Sequence, residues 1–154
     1  MHRVDAPGVR LSVMGRPRAG DWLEEEVLSW KRQGIDIILS LLEDDEIVEL
    51  GLMDEKALVE AHGLEFWSFP IPDRGVPDLG RFRKLIERIS RELRGSRSVA
   101  VHCRAGIGRT GLVAACAMKS LGFSANEAVG IVSRARGVPI PDTEVQLKLI
   151  ADFR

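Results

Sequence analysis

Residues 35–42 read Ile-Asp-Ile-Ile-Leu-Ser-Leu-Leu, a nearly continuous apolar run directly after Gly34. A run this short and this apolar is the pattern of a strand buried on both faces, and such strands occur in parallel sheets covered by helices on each side. Three further β-rich runs, at 10–14, 66–71 and 98–102, are separated from it and from one another by helical patterns. Strands alternating with helices predict an α/β fold, a single domain with a central, mostly parallel sheet flanked by helices. The 154 residues suit one such domain spanning 1–154, and no repeat or long linker divides them.

The helices are punctuated by their own end signals. Residues 21–33 carry an acidic first turn (Glu24, Glu25, Glu26) and stop at Gly34. Residues 44–50 and 54–62 read as shorter helices, the second closed by Gly63. Leu79, Phe82, Leu85, Ile86, Ile89 and Leu93 recur at helical spacing, with Asp78 as N-cap and Gly95 just past the end. Three more helices follow, at 110–121, at 125–135 behind a Ser124/Glu127 capping box, and at 144–153.

Charge and cysteine content narrow the function classes. Lys and Arg total 22 against 23 Asp and Glu, a net charge of −1, so no global field recruits nucleic acid or an anionic membrane. An anionic ligand must then be held locally, and the 17 Arg among the 22 basic residues suit that task if they cluster. No stretch reaches the ~18 apolar residues of a membrane span, and the first residues lack the apolar core of a signal peptide. Two cysteines, Cys103 and Cys116, make neither a disulfide framework nor a zinc site. The expectation is a cytoplasmic monomer with reduced thiols and no metal or cofactor.

The segment that carries chemistry is Val99-Ala100-Val101-His102-Cys103-Arg104-Ala105-Gly106-Ile107-Gly108-Arg109-Thr110-Gly111. A β-run enters a glycine-containing loop that opens a helix, so successive backbone N–H groups and a helix N-terminus converge as an anion cradle. Cys103 sits at its lip, where those donors favour a thiolate. Arg109 lies six residues on and can fold back to grip two phosphate oxygens. Gly106 and Gly108 give the loop its freedom to curl.

The order His-Cys, five residues, Arg-Thr resembles the signature of the cysteine-dependent protein tyrosine and dual-specificity phosphatases. Phe69-Pro70-Ile71-Pro72-Asp73-Arg74-Gly75-Val76-Pro77 is similar to that family's mobile acid loop. The resemblance implies a tyrosine phosphatase-like fold and hydrolysis of phosphate monoesters on phosphotyrosine, and on phosphoserine or phosphothreonine, of proteins. Cys103 is then the nucleophile. Arg109 and the loop residues Arg104, Ala105, Gly106, Ile107 and Gly108 bind the phosphoryl group. Asp73 is the general acid and then the base for water. Asp78 competes for that role but is more simply an N-cap. Thr110 is expected to stabilise the departing thiolate, although it also reads as an ordinary first-turn threonine. His102 is expected to support the loop through hydrogen bonds.

The sequence departs from the family pattern near its end. Where the family often places two water-positioning glutamines, Asp142 and Gln146 stand, and Gln146 also fits a capping box with Thr143. Both are candidates for the second step. Cys116 reads as core, with a resolving thiol as the alternative. Arg16, Arg18, Arg134 and Arg136 read as surface residues that could instead widen the anion site. With no tyrosine in the chain, Trp67 and Phe69 are the aromatic candidates for a pocket wall, though strand placement favours the core.

Rival readings are a phosphoinositide or other small-molecule phosphatase, and a non-catalytic phosphate-binding or redox-sensing module. The loop carries one cation and no lysine, against the lipid reading; a binding module has no need of Cys103, Arg109 and Asp73 together. RNA 5′-triphosphatases of the family manage without the acid loop, and sulfurtransferases need no Asp73.

Overall fold

The computed structural model describes residues 1–154. In chain order the elements are β1 (His2–Arg3), β2 (Leu11–Met14), α1 (Trp22–Arg32), β3 (Ile37–Ser40), α2 (Asp44–Glu49), α3 (Glu55–Ala61), β4 (Glu65–Ser68), α4 (Leu79–Arg94), β5 (Val99–His102), α5 (Gly108–Ser120), α6 (Ala125–Arg136) and α7 (Glu144–Asp152). The strands form one sheet in the order β1-β2-β5-β3-β4. The pairs β2–β5, β5–β3 and β3–β4 are parallel, and only β1 runs antiparallel, beside β2.

Alternation along the strands assigns the two faces. Leu11, Val13, Ile37, Leu39, Val99 and Val101 enter a core of 30 buried residues shared with α4–α7. Met14, Ile38 and Ala100 point the other way, into a core of 8 residues with Val27 and Trp30 of α1 and Val59 of α3. His102 and Ser40 have the same parity as Ala100 and Ile38, which turns His102 toward α3. The strands β2, β3 and β5 are buried along their whole length, as the apolar runs require. α5 packs against α4, α6 and α7, and every residue from Gly108 to Met118 is buried, so its apolar sequence has no wet face.

The Ser124/Glu127 capping box closes α6 from both sides, at 3.1 and 3.0 Å, and Asp78 caps α4 by accepting the Arg81 N–H at 3.0 Å. Four expectations shift. The run at 66–71 pairs only from Glu65 to Ser68; Pro70 and Pro72 cannot extend a ladder, although Phe69 and Ile71 still donate to Ser40 and Leu41. α5 starts at Gly108, two residues before Thr110. The left-handed residue after α4 is Ser96 (φ 64°), not Gly95. β1 is absent from the sequence reading because two residues carry no periodicity.

Candidate active site

All four parallel strands end on one side of the sheet, and β5 delivers Cys103 there. Beyond it the chain turns through Arg104–Ile107 into α5. Three donors hold the loop's carbonyls outward. The Arg16 N–H donates to Arg104 O at 3.1 Å, Arg136 Nη2 to Ala105 O at 3.0 Å, and Arg136 Nε to Gly106 O at 3.2 Å. In a trans peptide the carbonyl of one residue and the N–H of the next point in opposite directions. The N–H groups of Ala105, Gly106 and Ile107 therefore face inward, and that of Gly106 reaches Cys103 Sγ at 3.3 Å. Gly106 has φ 74°, and a Cβ there would stand 2.5 Å from the Met14 carbonyl. The loop seats directly on the end of β2.

Arg109, in the first turn of α5, is 2% exposed and almost fully engaged. Its Nη1 donates to Glu46 Oε1 at 2.6 Å and to Ile71 O at 3.0 Å, and its Nη2 to Glu46 Oε2 at 2.9 Å. Nη2 also lies 3.2 Å from Asp73 Oδ1. Burial opposes the charge on Arg109, but the Glu46 hydrogen bonds and the charges of Cys103, Glu46 and Asp73 outweigh it and raise its pKa. Burial likewise opposes ionisation of Glu46, yet hydrogen bonds from Arg109 and the Glu43 N–H, with Arg104, bring its pKa down to about 2. Glu46, which holds Arg109 in place, is the site contact that sequence reasoning missed. It lies in a run of four acids, Glu43 to Glu46, and its partner is 63 positions away.

A cavity of about 180 Å³ opens over this loop, lined by Asp73, Arg74, Cys103, Arg104, Ala105, Gly108, Arg109 and Asp142. Asp73 keeps 58% of its side chain exposed, as a group on a surface loop would. Arg104 contributes its backbone to the loop, while its side chain turns to Glu46 Oε2 (3.3 Å) and Glu49 Oε2 (3.1 Å). Asp142 packs against Gly108 and lies 3.8 Å from Arg74 across the mouth. Gln146 is not in the cavity wall. It is fully buried and donates from Nε2 to Gly75 O at 3.1 Å, while its backbone N–H is capped by Thr143 Oγ1. The reciprocal capping box with Thr143 does not form, because the glutamine side chain is drawn to the loop that carries Asp73 and Gly75.

His102 is fully buried, with Nε2 2.6 Å from Glu55 Oε2 in the first turn of α3. The Thr110 hydroxyl is buried and has no hydrogen-bond partner. Trp67 and Phe69 line a groove at the outer edge of β4, so no aromatic ring walls the cavity. Cys116 lies eight residues into α5, about 12 Å along its axis from Gly108. Burial pushes its thiol up to about 12, against a small opposing effect of Lys119. Of the four arginines weighed for the anion site, Arg136 and the backbone of Arg16 brace the loop, and Arg18 pairs with Glu26.

A family model described as a polymorphic toxin system DSP-PTPase phosphatase matches residues 12–122. Cyclin-dependent kinase inhibitor 3 of Rattus norvegicus is 27% identical over 134 residues, covering 86% of this chain and 63% of that protein. The chain thus spans under two thirds of that curated relative. Among solved structures, kinase associated phosphatase with its catalytic-site cysteine replaced by serine superposes with a TM-score of 0.86 at 24% identity, over 94% of this chain and 85% of that one. Tk-PTP in its active form gives 0.70 at 27% identity, over 96% and 99%.

Proposed function

The chain belongs to the DSP-PTPase phosphatase family, and from that premise we propose that it hydrolyses phosphate monoesters of proteins, on phosphotyrosine and on phosphoserine or phosphothreonine, through a phosphocysteine. The observation that carries this reading is that Cys103, Arg109 and Asp73 share one small cavity above an N–H-lined loop.

In the first step Cys103 Sγ bonds to phosphorus as the P–O bond to the leaving group breaks, and Asp73 passes its proton to that oxygen. In the second, water attacks phosphorus, Asp73 takes a proton back, and the P–S bond breaks to return the thiolate. Arg109 has five N–H donors. Glu46 and Ile71 O hold three of them, so the two left for a phosphoryl group are Nε–H and the Nη2 hydrogen now facing Asp73. Phosphate binding thereby displaces Asp73 from Arg109 and frees it to meet the leaving group. The Thr110 hydroxyl has no competing partner and serves the returning thiolate; Glu55 fixes the imidazole of His102 beneath the loop. Asp142, on the cavity wall, is better placed than Gln146 to meet the hydrolytic water.

The cavity has no aromatic wall, which suits a shallow site open to both aromatic and aliphatic esters. Its rim cations, Arg74 and Arg104, face Asp142, Glu46 and Glu49, so no unpaired charge favours a polyanionic lipid headgroup. The test is phosphate release from phosphotyrosine, phosphoserine/threonine, phosphoinositide and nucleotide substrates in EDTA. Phosphopeptide turnover by the wild type and none by Cys103→Ser is expected. Turnover that needs an added divalent ion, or that survives Cys103→Ser, overturns the reading.

A further inference from the structure

A groove of about 550 Å³ runs between the outer edge of β4 and helix α4, separate from the Cys103 cavity. Its floor is backbone as much as side chain. β4 is the last strand of the sheet, and the N–H groups of Glu65 and Phe69 turn inward to Asp36 O and Ser40 O, each at 2.9 Å. Alternate residues of a parallel ladder face the same neighbour, so Phe66 and Ser68 direct their N–H and C=O groups outward, where no strand pairs with them.

The opposite wall is cationic. Arg81, Lys84 and Arg88 stand one helical turn apart on α4 and line the groove. The Arg88 guanidinium lies 3.7 Å from the centroid of the Trp67 ring, and that of Arg81 lies 5.7 Å from Phe69. None of the three forms an ion pair with a carboxylate, although nine arginine or lysine pairs with carboxylates occur elsewhere in the molecule. Within Leu79–Arg94 six cations face two carboxylates, in a chain whose net charge is −1. Positive charge is thus concentrated beside a free strand edge, where Glu65, which also feels Arg88, is the one carboxylate close by.

We propose that this groove docks an extended acidic segment of a protein, which adds as a strand along β4 and sets its carboxylates against Arg81, Lys84 and Arg88. A free edge beside a helix supplies main-chain hydrogen bonds for affinity, and the side chains around it supply selectivity. β4 runs directly into the loop that carries Asp73, only five residues beyond Ser68, at most about 17 Å of extended chain. The docked segment therefore belongs to the phosphorylated substrate itself, its acidic residues lying within about five positions of the phosphorylated one. This last step rests on the phosphatase reading; the docking itself does not.

The experiment separates the two. Binding is measured on the Cys103→Ser protein, where turnover plays no part, with a fluorescent ten-residue peptide alternating valine and glutamate. Its N-methylated versions carry the methyl groups on one or the other alternate set of amides. Expected are binding that weakens with salt, loss of at least tenfold for one N-methylated set and not for the other, and protection of the Phe66 and Ser68 amides from hydrogen exchange. Arg81→Gln/Lys84→Gln/Arg88→Gln should weaken binding at least tenfold, lower kcat/KM for acidic phosphopeptides, and leave turnover of para-nitrophenyl phosphate unchanged. Equal loss from both methylated sets, or none from either, overturns strand addition and leaves the cations as a fringe that keeps edges from aggregating. Tighter binding of a single-stranded oligonucleotide or of phosphatidylserine vesicles through the same three residues overturns the peptide as occupant. Docking without phosphate release from any ester overturns the phosphatase reading alone.

Discussion

Asp73 is held by one contact, the 3.2 Å approach to Arg109, and is otherwise exposed. A general acid matters most where the leaving oxygen is basic. Asp73→Asn should therefore slow release of phenol or alkyl alcohol by about 10²–10⁴-fold and slow an activated aryl ester far less. Leaving-group plots for the two proteins check this; parallel slopes would remove Asp73 from the role. Glu46 is the opposite case, buried and bound twice to Arg109. Its pKa falls from 4.5 to about 2 in the fold, so its contribution to stability is complete above 4.5 and is lost as pH falls through 2. The shift corresponds to about 3 kcal/mol. Glu46→Gln should lower stability at neutral pH by an amount of that order, flatten the stability profile between 4.5 and 2, and reduce phosphate affinity as Arg109 loses its anchor. Chemical denaturation across that range reads it directly. The fixed spacing of the loop motif made Cys103 and Arg109 legible from sequence, and the Pro-Asp pattern did the same for Asp73. Glu46 was hidden because nothing local distinguishes it from Glu43, Asp44 or Asp45; only the fold brings it to Arg109. The reach of the Gln146 side chain to Gly75 was hidden for the same reason, the two being 71 positions apart.

At the scale of elements, the site depends on how closely the loop packs on β2. Gly106→Ala combines a left-handed backbone with a Cβ 2.5 Å from the Met14 carbonyl. That contact is backbone on backbone, so no flexible side chain can yield. The substitution should cost about 3 kcal/mol or more and collapse the cradle, seen as lost vanadate binding by calorimetry. Asp78→Asn, by contrast, changes only a cap at the start of α4 and should cost roughly 1 kcal/mol or less, with turnover intact. Melting curves for the two variants would separate a site element from a scaffold element. The larger elements were legible because their periodicity repeats over several turns or covers a whole buried strand. Their ends were not: Pro70 and Pro72 cut β4 short, and α5 begins at Gly108, directly after the loop whose carbonyls Arg16 and Arg136 brace.

The whole molecule keeps its two thiols in different environments, and that decides how it responds to oxidation. Cys103 lies at the end of β5 and, though only 2% exposed, lines the cavity over the loop. Cys116 sits in the middle of α5 among Leu112, Val113 and Ala117, fully buried, with its thiol pushed up to about 12. Bridging them would require the first two turns of α5 to unwind, and those turns carry Arg109 and Thr110 and hold the packing against α4, α6 and α7 together. Two cysteines whose Cα atoms lie more than about 7 Å apart cannot be bridged without such backbone movement. Mild peroxide should therefore oxidise Cys103 alone, to the sulfenic acid, with activity restored by an added thiol. Cys116→Ala should lose and recover activity at the same rates as the wild type, and peptide mapping under non-reducing conditions should show no Cys103–Cys116 cross-link. A cross-link formed in step with the loss of activity, and slower recovery without Cys116, would mean that α5 opens far more readily than its buried packing implies.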